Sequence, residues 1–168
     1  MGGARKQTIV IGDVHGCLEE LDALLALLSV KAGTNLVFAG DLLDRGPDPV
    51  GVVRRVRELG ARAVMGNHDE KHVRFGKHET RRLREPTYRN PVSMSDERVR
   101  QHRALNADDL AFLSARPTYL RLDPPWVVVH GGFEPNRAIE EQKNAVMLRV
   151  RHVDTGGRMV SLGHEGPA

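Results

Sequence analysis

Short apolar runs alternate along this chain with stretches in which apolar residues recur every three or four positions. Thr8-Ile9-Val10-Ile11 is mostly β-branched and reads as a strand that ends at Gly12-Asp13-Val14-His15-Gly16. Leu18, Leu21, Leu24, Leu25 and Leu28 then fall on one helical face, with Glu19, Glu20 and Asp22 between them. A second strand, Leu36-Val37-Phe38-Ala39, leads into Gly40-Asp41-Leu42-Leu43-Asp44-Arg45-Gly46. Pro47 is expected to open a second helix, with Val50, Val53, Val56 and Leu59 as its apolar stripe and Gly60 as its stop. Ala63-Val64-Met65 is a third short strand, ending at Gly66-Asn67-His68-Asp69. Strands alternating with helices predict an α/β fold around a mainly parallel sheet. In such a sheet the ligand site lies beyond the carboxyl ends of the strands, so the three polar clusters should meet at one edge.

The pattern changes from Lys71 onward. Residues 71–105 hold ten Lys or Arg against four acids, a local charge of +6. The whole chain carries only +3, so the remainder carries 3 − 6 = −3. Apolar residues are sparse there and Pro86 and Pro91 interrupt it. The expectation is a short helix after Glu70, then a solvated excursion over the site. Asn106-Ala107-Asp108-Asp109 starts another helix, with Leu110, Phe112 and Leu113 as its buried side and Pro117 as its end. Tyr119 to Leu122 and Trp126 to Val129 flank Asp123-Pro124-Pro125 and read as a hairpin whose second strand ends in His130-Gly131-Gly132. Ile139 to Val153 reads as partly helical.

Composition adds limits. With 168 residues, 40% apolar and 28% charged, the chain fits one soluble domain over residues 1–168. Cys17 is the single cysteine, so no internal disulfide forms. No arginine follows it at the spacing a thiolate-phosphate loop needs, which excludes it as a phosphatase nucleophile. No apolar run approaches the roughly 20 residues that span a membrane. The basic start is followed by a strand rather than a signal-peptide core. Together these imply a cytoplasmic protein with no membrane partner. The basic excursion is either a solvated surface or a rim that recruits a polyanion. It has few aromatics beyond Phe75 and Tyr88, which argues against sequence-specific nucleic-acid binding.

The clusters themselves carry chemistry. Asp13, His15, Asp41, Asn67 and His130 offer carboxylate, imidazole and amide donors with no thiolate, a set suited to divalent Mn, Fe, Zn or Mg. One carboxylate can bridge two metals about 4 Å apart, the arrangement used for in-line displacement at phosphorus. Arg45 can grip a phosphate through two parallel hydrogen bonds. His68 can protonate a leaving oxygen, and Asp44 can orient and charge-stabilise that imidazole.

In this order, Gly-Asp-Val-His-Gly, Gly-Asp-Leu-Leu-Asp-Arg-Gly, Gly-Asn-His-Asp and His-Gly-Gly resemble the calcineurin-like metallophosphoesterase superfamily. Asp44-Arg45-Gly46 and His130-Gly131-Gly132 are similar to its phosphoprotein-phosphatase branch, which includes symmetrical dinucleoside tetraphosphate hydrolases and Ser/Thr protein phosphatases. The resemblance implies an α/β, four-layer α-β-β-α sandwich and two divalent cations, manganese foremost, with Fe, Zn, Mg, Co or Ni as others. It implies that Asp13 and His15 bind one metal, Asp41 bridges, and Asn67 and His130 bind the second. Arg45 would hold phosphate, His68 with Asp44 would form the acid pair, and Leu148-Arg149-Val150-Arg151 would bring a second phosphate-binding arginine, Arg151. The implied reaction is hydrolysis of a phosphoester or phosphoanhydride by a metal-activated hydroxide. Gly16-Cys17, Asp69 and the small size look more like the bacterial nucleotide-hydrolase and phage-like members, which implies a substrate such as diadenosine tetraphosphate, with Ser/Thr protein dephosphorylation as the close rival.

There is one departure. The branch carries a further metal-binding histidine in a Gly-His motif on a later strand. Here only Gly163-His164 follows, four residues from the end and without a normal strand before it. The chain is therefore expected to lack the last strands of the sandwich and that ligand. Two readings of other classes stand beside hydrolysis: a non-catalytic metal- or phosphate-binding remnant, and a nucleic-acid-binding module resting on residues 71–105 alone.

Overall fold

The computed structural model describes residues 7–31, 33–153 and 159–160. Three parallel strands in the order β1 (Thr8–Ile11), β2 (Asn35–Phe38) and β3 (Arg62–Ala63) form the central sheet. Ile9 pairs with Leu36 and Ile11 with Phe38, and Phe38 pairs in turn with Ala63. The two-residue period of a strand divides β2 between two cores. Leu36 and Phe38 face a helical layer, and Val37 faces a second sheet.

The helical layer contains α1 (Leu18–Leu27), α2 (Pro49–Glu58), α3 (Asn67–Arg84) and α5 (Ala107–Ser114), with α4 (Asp96–Ala104) between the last two in sequence. Val52, Val53 and Val56 of α2 and Leu113 of α5 are fully buried against Phe38 and Leu43. Burying each such side chain is worth about 2 kcal/mol. On the other face, β4 (Tyr119–Arg121) and β5 (Val127–Val129) form the expected antiparallel hairpin. Val128, Leu120 and Leu122 pack there on Val37 and Val64. A 3-10 turn (Ile139–Glu141) and α6 (Asn144–Arg149) make the 139–153 stretch partly helical, followed by the short pair β6 (His152–Val153) and β7 (Met159–Val160). Gly163-His164 lies outside the described residues.

Two local expectations are corrected. The second helix starts at Pro49 rather than Pro47: Pro47 continues the loop, and Asp48 caps the helix by accepting from the Gly51 amide at 2.7 Å. The helix expected to begin after Glu70 begins instead at Asn67 and runs 18 residues. Its buried side is His72 and Phe75 with Val73 packed alongside, too thin a stripe to show as apolar periodicity. Pairs one turn apart support the rest, Glu70–Arg74 at 2.9 Å, Glu79–Arg82 at 3.0 Å and Arg81–Glu85 at 3.0 Å. Among the described residues no helix is long and apolar enough to cross a membrane.

Candidate active site

The three strand-end loops lock together through their backbones. The amides of Val14 and His15 donate to the Asp41 carbonyl, and that of Gly16 donates to Leu42. Gly40 and Gly66 let two loops touch: a Cβ on Gly66 would lie 2.1 Å from the Asp41 nitrogen, and one on Gly40 2.5 Å from the Gly66 nitrogen. His15, Asp41, Asp44 and Arg45 all adopt left-handed backbone, with φ of +46°, +53°, +70° and +69°. Four non-glycine residues in this sparsely populated region within one site are strain held by the surrounding fold, a pattern that concentrates at functional sites.

This strained edge brings candidate ligand atoms into two groups that share Asp41, His15 with Asp41 and His68, and Asp13 with Asp41 and His130, each within 4.8 Å. His15 Nδ1 donates to the Leu43 carbonyl at 2.8 Å, which leaves Nε2 as an acceptor in the neutral ring. Nε2 lies 3.5 Å from Asp41 Oδ2 and 3.8 Å from Asp13 Oδ2. His130, at the end of β5, donates from Nδ1 to the Ala39 carbonyl at 2.9 Å, and its Nε2 faces Asn67 Oδ1 at 2.9 Å and Asp41 Oδ2 at 3.4 Å. Asp13 stands between the two histidines, with Oδ1 also 3.7 Å from His130 Nδ1. Asp41 Oδ2 is thus shared by both clusters, while Oδ1 accepts the His68 amide at 2.9 Å, at the start of α3. His15 Nε2 and Asp41 Oδ2 are buried and have no hydrogen-bond partner among the described residues. Buried acceptors facing one another are unfavourable unless a proton or cation lies between them, so this donor set fits divalent cations.

The same geometry shifts ionisation. Burial works to raise the Asp41 pKa, but His130 and the His68 amide outweigh it and hold the carboxyl below its usual range. Burial opposes charging of His130, yet Asp41 and the Ala39 carbonyl push its pKa up. Asp69 is fully buried, and desolvation with the nearby Asp41 charge raises it to about 6.

His68 and Asp44, expected to form the acid pair, lie in contact. His68 Nδ1 lies 2.6 Å from Asp44 Oδ2, and its Nε2 lies 4.0 Å from Asp41 Oδ2. Burial alone would raise the Asp44 pKa, but hydrogen bonds from His72 and His68 and the charge of Arg98 lower it to about 2. Asp44 is therefore ionised, and the proton between it and His68 sits on Nδ1. Arg98 Nε forms an ion pair with the same Asp44 oxygen at 2.9 Å. Its Nη2 is 3.1 Å from His68 Nδ1, but two donors face each other there, so we assign the Arg98 interaction to Asp44. Arg45 is exposed beside Asp44, with no ion pair among the described residues, at a polar recess of about 320 Å³ shared with Ser95, Arg98 and Gln101. Arg151 is exposed just after Val150, whose side chain abuts the position of a Cβ on Gly132.

Asp69, His72 and Arg98 are not in the sequence-derived set. Asp69 accepts the amides of Leu42, Leu43 and Gly66 at 3.0, 3.1 and 3.3 Å and so ties the Asp41 loop to the Asn67 loop. An acid at the third position of a helix could have signalled this role. His72 donates from Nε2 to Asp44 Oδ1 at 2.9 Å and lies one helical turn after His68, a spacing visible in the sequence. No local signal marks Arg98, which reaches Asp44 across 54 residues of chain. We expect Asp69→Ala to cost about 3 kcal/mol, because it strands three loop amides. Urea unfolding of the apo protein checks this, and a cost under about 1 kcal/mol would show that Asp69 is not the tie.

A carboxylate–imidazole–amide set at the carboxyl edge of a parallel sheet is that of an α/β protein built to hold divalent cations. The chain belongs to the calcineurin-like phosphoesterase family, whose model matches residues 7–167. It is 33% identical over 163 residues to the symmetrical bis(5'-nucleosyl)-tetraphosphatase of Psychromonas ingrahamii, covering 92% of this chain and 54% of that protein. It is 46% identical over 79 residues to the asymmetrical bis(5'-nucleosyl)-tetraphosphatase PrpE of Oceanobacillus iheyensis, covering 39% and 32%. A solved structure described as a candidate diadenosine tetraphosphatase superposes with a TM-score of 0.72 at 30% identity, covering 90% of this chain and 61% of that one. The chain spans about half the length of the Psychromonas ingrahamii relative. The α/β metallophosphoesterase fold expected from the sequence is borne out by these matches.

Proposed function

We propose that this chain hydrolyses phosphoesters or phosphoanhydrides with two divalent cations, and that dinucleoside polyphosphates such as diadenosine tetraphosphate are its substrates. The observation that carries this reading is Asp41 Oδ2, which has no hydrogen-bond partner among the described residues and is shared between His15 Nε2 and His130 Nε2. Asp13, His15 and Asp41 would hold one cation, and Asp41, Asn67 and His130 the other. Cations held there supply Lewis-acid stabilisation of phosphoryl charge and an acidified water as nucleophile. The chain's own residues do the rest. Arg45 and Arg151 hold phosphate oxygens. His68 delivers a proton from Nε2 to the leaving oxygen, while Asp44 keeps Nδ1–H in place and stabilises the imidazolium. Two relatives named as bis(5'-nucleosyl)-tetraphosphatases support the substrate class.

The test is reconstitution of apo protein with Mn, counting metal per chain and comparing turnover of diadenosine tetraphosphate with that of a phosphopeptide. Two metals per chain and a higher kcat/KM on the dinucleotide are expected. Faster turnover of the phosphopeptide would make this a protein phosphatase. Fewer than one metal per chain with no turnover would make it a non-catalytic remnant.

A further inference from the structure

A groove of about 490 Å³ lies between α3, the end of α5 and α6. Its floor is apolar, with Met65 and Leu148 buried and Val73 partly so. Met65 stands two residues before Asn67, and the Arg149 backbone lies against Gly131, the neighbour of His130. The groove is therefore bordered by near neighbours of two proposed metal ligands, Asn67 and His130.

Its rim is cationic. Arg74, Lys77, Arg116 and Arg149 face one acid, Glu70, which is already paired with Arg74 at 2.9 Å and Arg149 at 3.0 Å. Lys77 and Arg116 have no carboxylate within 4.0 Å among the described residues. Arg116 is half-buried and held in place. Its guanidinium lies 4.1 Å over the Phe112 ring, and its Nε donates to the Phe112 carbonyl at 2.9 Å. A pre-oriented, partly desolvated guanidinium without a counter-ion favours an anion. An apolar floor beneath a few fixed polar groups is the usual make-up of a small-molecule pocket. A nucleoside phosphate has both complements, a flat base for the floor and phosphate oxygens for the rim.

We propose that this groove binds the distal nucleoside phosphate of a substrate whose reacting phosphate sits at the Asp41 centre, with Lys77 and Arg116 as specificity-determining residues. The inference rests on the proposed hydrolase reading and extends it to a second subsite. Charge-reversing Lys77→Glu with Arg116→Glu is expected to lower the ratio of kcat/KM for diadenosine tetraphosphate to that for p-nitrophenyl phosphate by at least about tenfold. The small ester cannot reach the groove, so a general loss of folding or metal would move both substrates together. Lys77→Glu alone, at an exposed side chain, keeps the test available if the double variant does not fold, and Arg62→Glu on the exposed surface of β3 is the charge control. A ratio within about twofold of wild type, or an equal fall with Arg62→Glu, would overturn the groove assignment while leaving the hydrolase reading intact. If wild-type protein hydrolyses neither substrate with any divalent cation, the hydrolase reading fails. The groove then stands or falls on calorimetric binding of ADP, which Lys77→Glu should weaken and which must exceed binding of adenosine.

Discussion

Asp41→Asn is expected to abolish the Mn-dependent rise in thermal stability and to lower phosphoester hydrolysis by about 10³-fold or more. The variant removes the charge on the one oxygen common to both clusters, 3.5 Å from His15 Nε2 and 3.4 Å from His130 Nε2. It leaves the loop intact, because asparagine tolerates φ of +53° and its own oxygen can still accept the His68 amide. Apo stability should change little, because the contacts that hold the Asp41 carboxyl below its usual range are lost together with its repulsion of Asp69. The Asp41 charge raises the pKa of buried Asp69, so losing it relieves a repulsion between two acids in one low-dielectric site. A stable apo fold with no metal response separates a metal-ligand role from a structural one. Melting curves with and without Mn, followed by hydrolysis of p-nitrophenyl phosphate, make the comparison. Full Mn-dependent activity in Asp41→Asn would sink the two-cation mechanism.

The second large effect belongs to His68. Its replacement by asparagine should reduce kcat by about 10²- to 10⁴-fold, the range that a positioned general acid contributes. The loss should be largest for esters whose leaving alcohol is a poor one and smallest for p-nitrophenyl phosphate, which departs without a proton. The metal-dependent thermal shift should survive, because the proposed ligand set omits the His68 ring, which stands 4.0 Å from Asp41 Oδ2, and the backbone amide that bonds Asp41 is kept. Asp44→Asn should give a similar leaving-group dependence. Asp44 receives His68, His72 and Arg98 and fixes the proton on His68 Nδ1, and an amide there can present the wrong group to the ring. An equal loss on good and poor leaving groups would count against the acid role.

Much of the candidate site was legible because its residues are local punctuation. Asp13, Asp41 and Asn67 each follow a glycine at the end of a short apolar run, and a parallel sheet gathers its strand ends at one edge. His130 was readable on the same grounds, from the end of the hairpin's second strand. The amphipathic helices α2 and α5 were equally plain, since leucine and valine repeat there at helical spacing; of the expected α1 face, Leu21 and Leu25 are buried but Leu24 and Leu28 are exposed. Helix α3 was not, because His72 and Phe75 supply the buried stripe and ion pairs supply much of the rest.

The sequence by itself determined which residues are available to hold cations and phosphate, and that they lie at strand ends. Those features depend on short-range periodicity and on glycine, which a linear reading detects. The tertiary structure alone decided that Oδ2 of Asp41 is the shared atom, that Asp69 ties two loops, and that Arg98 arrives from the basic segment at Asp44. It also set the cationic rim beside α6, where residues 74, 77, 116 and 149 meet. These pairings join residues tens of positions apart, and packing of the helical layer and of α6 selects them. No local pattern in the chain encodes that choice.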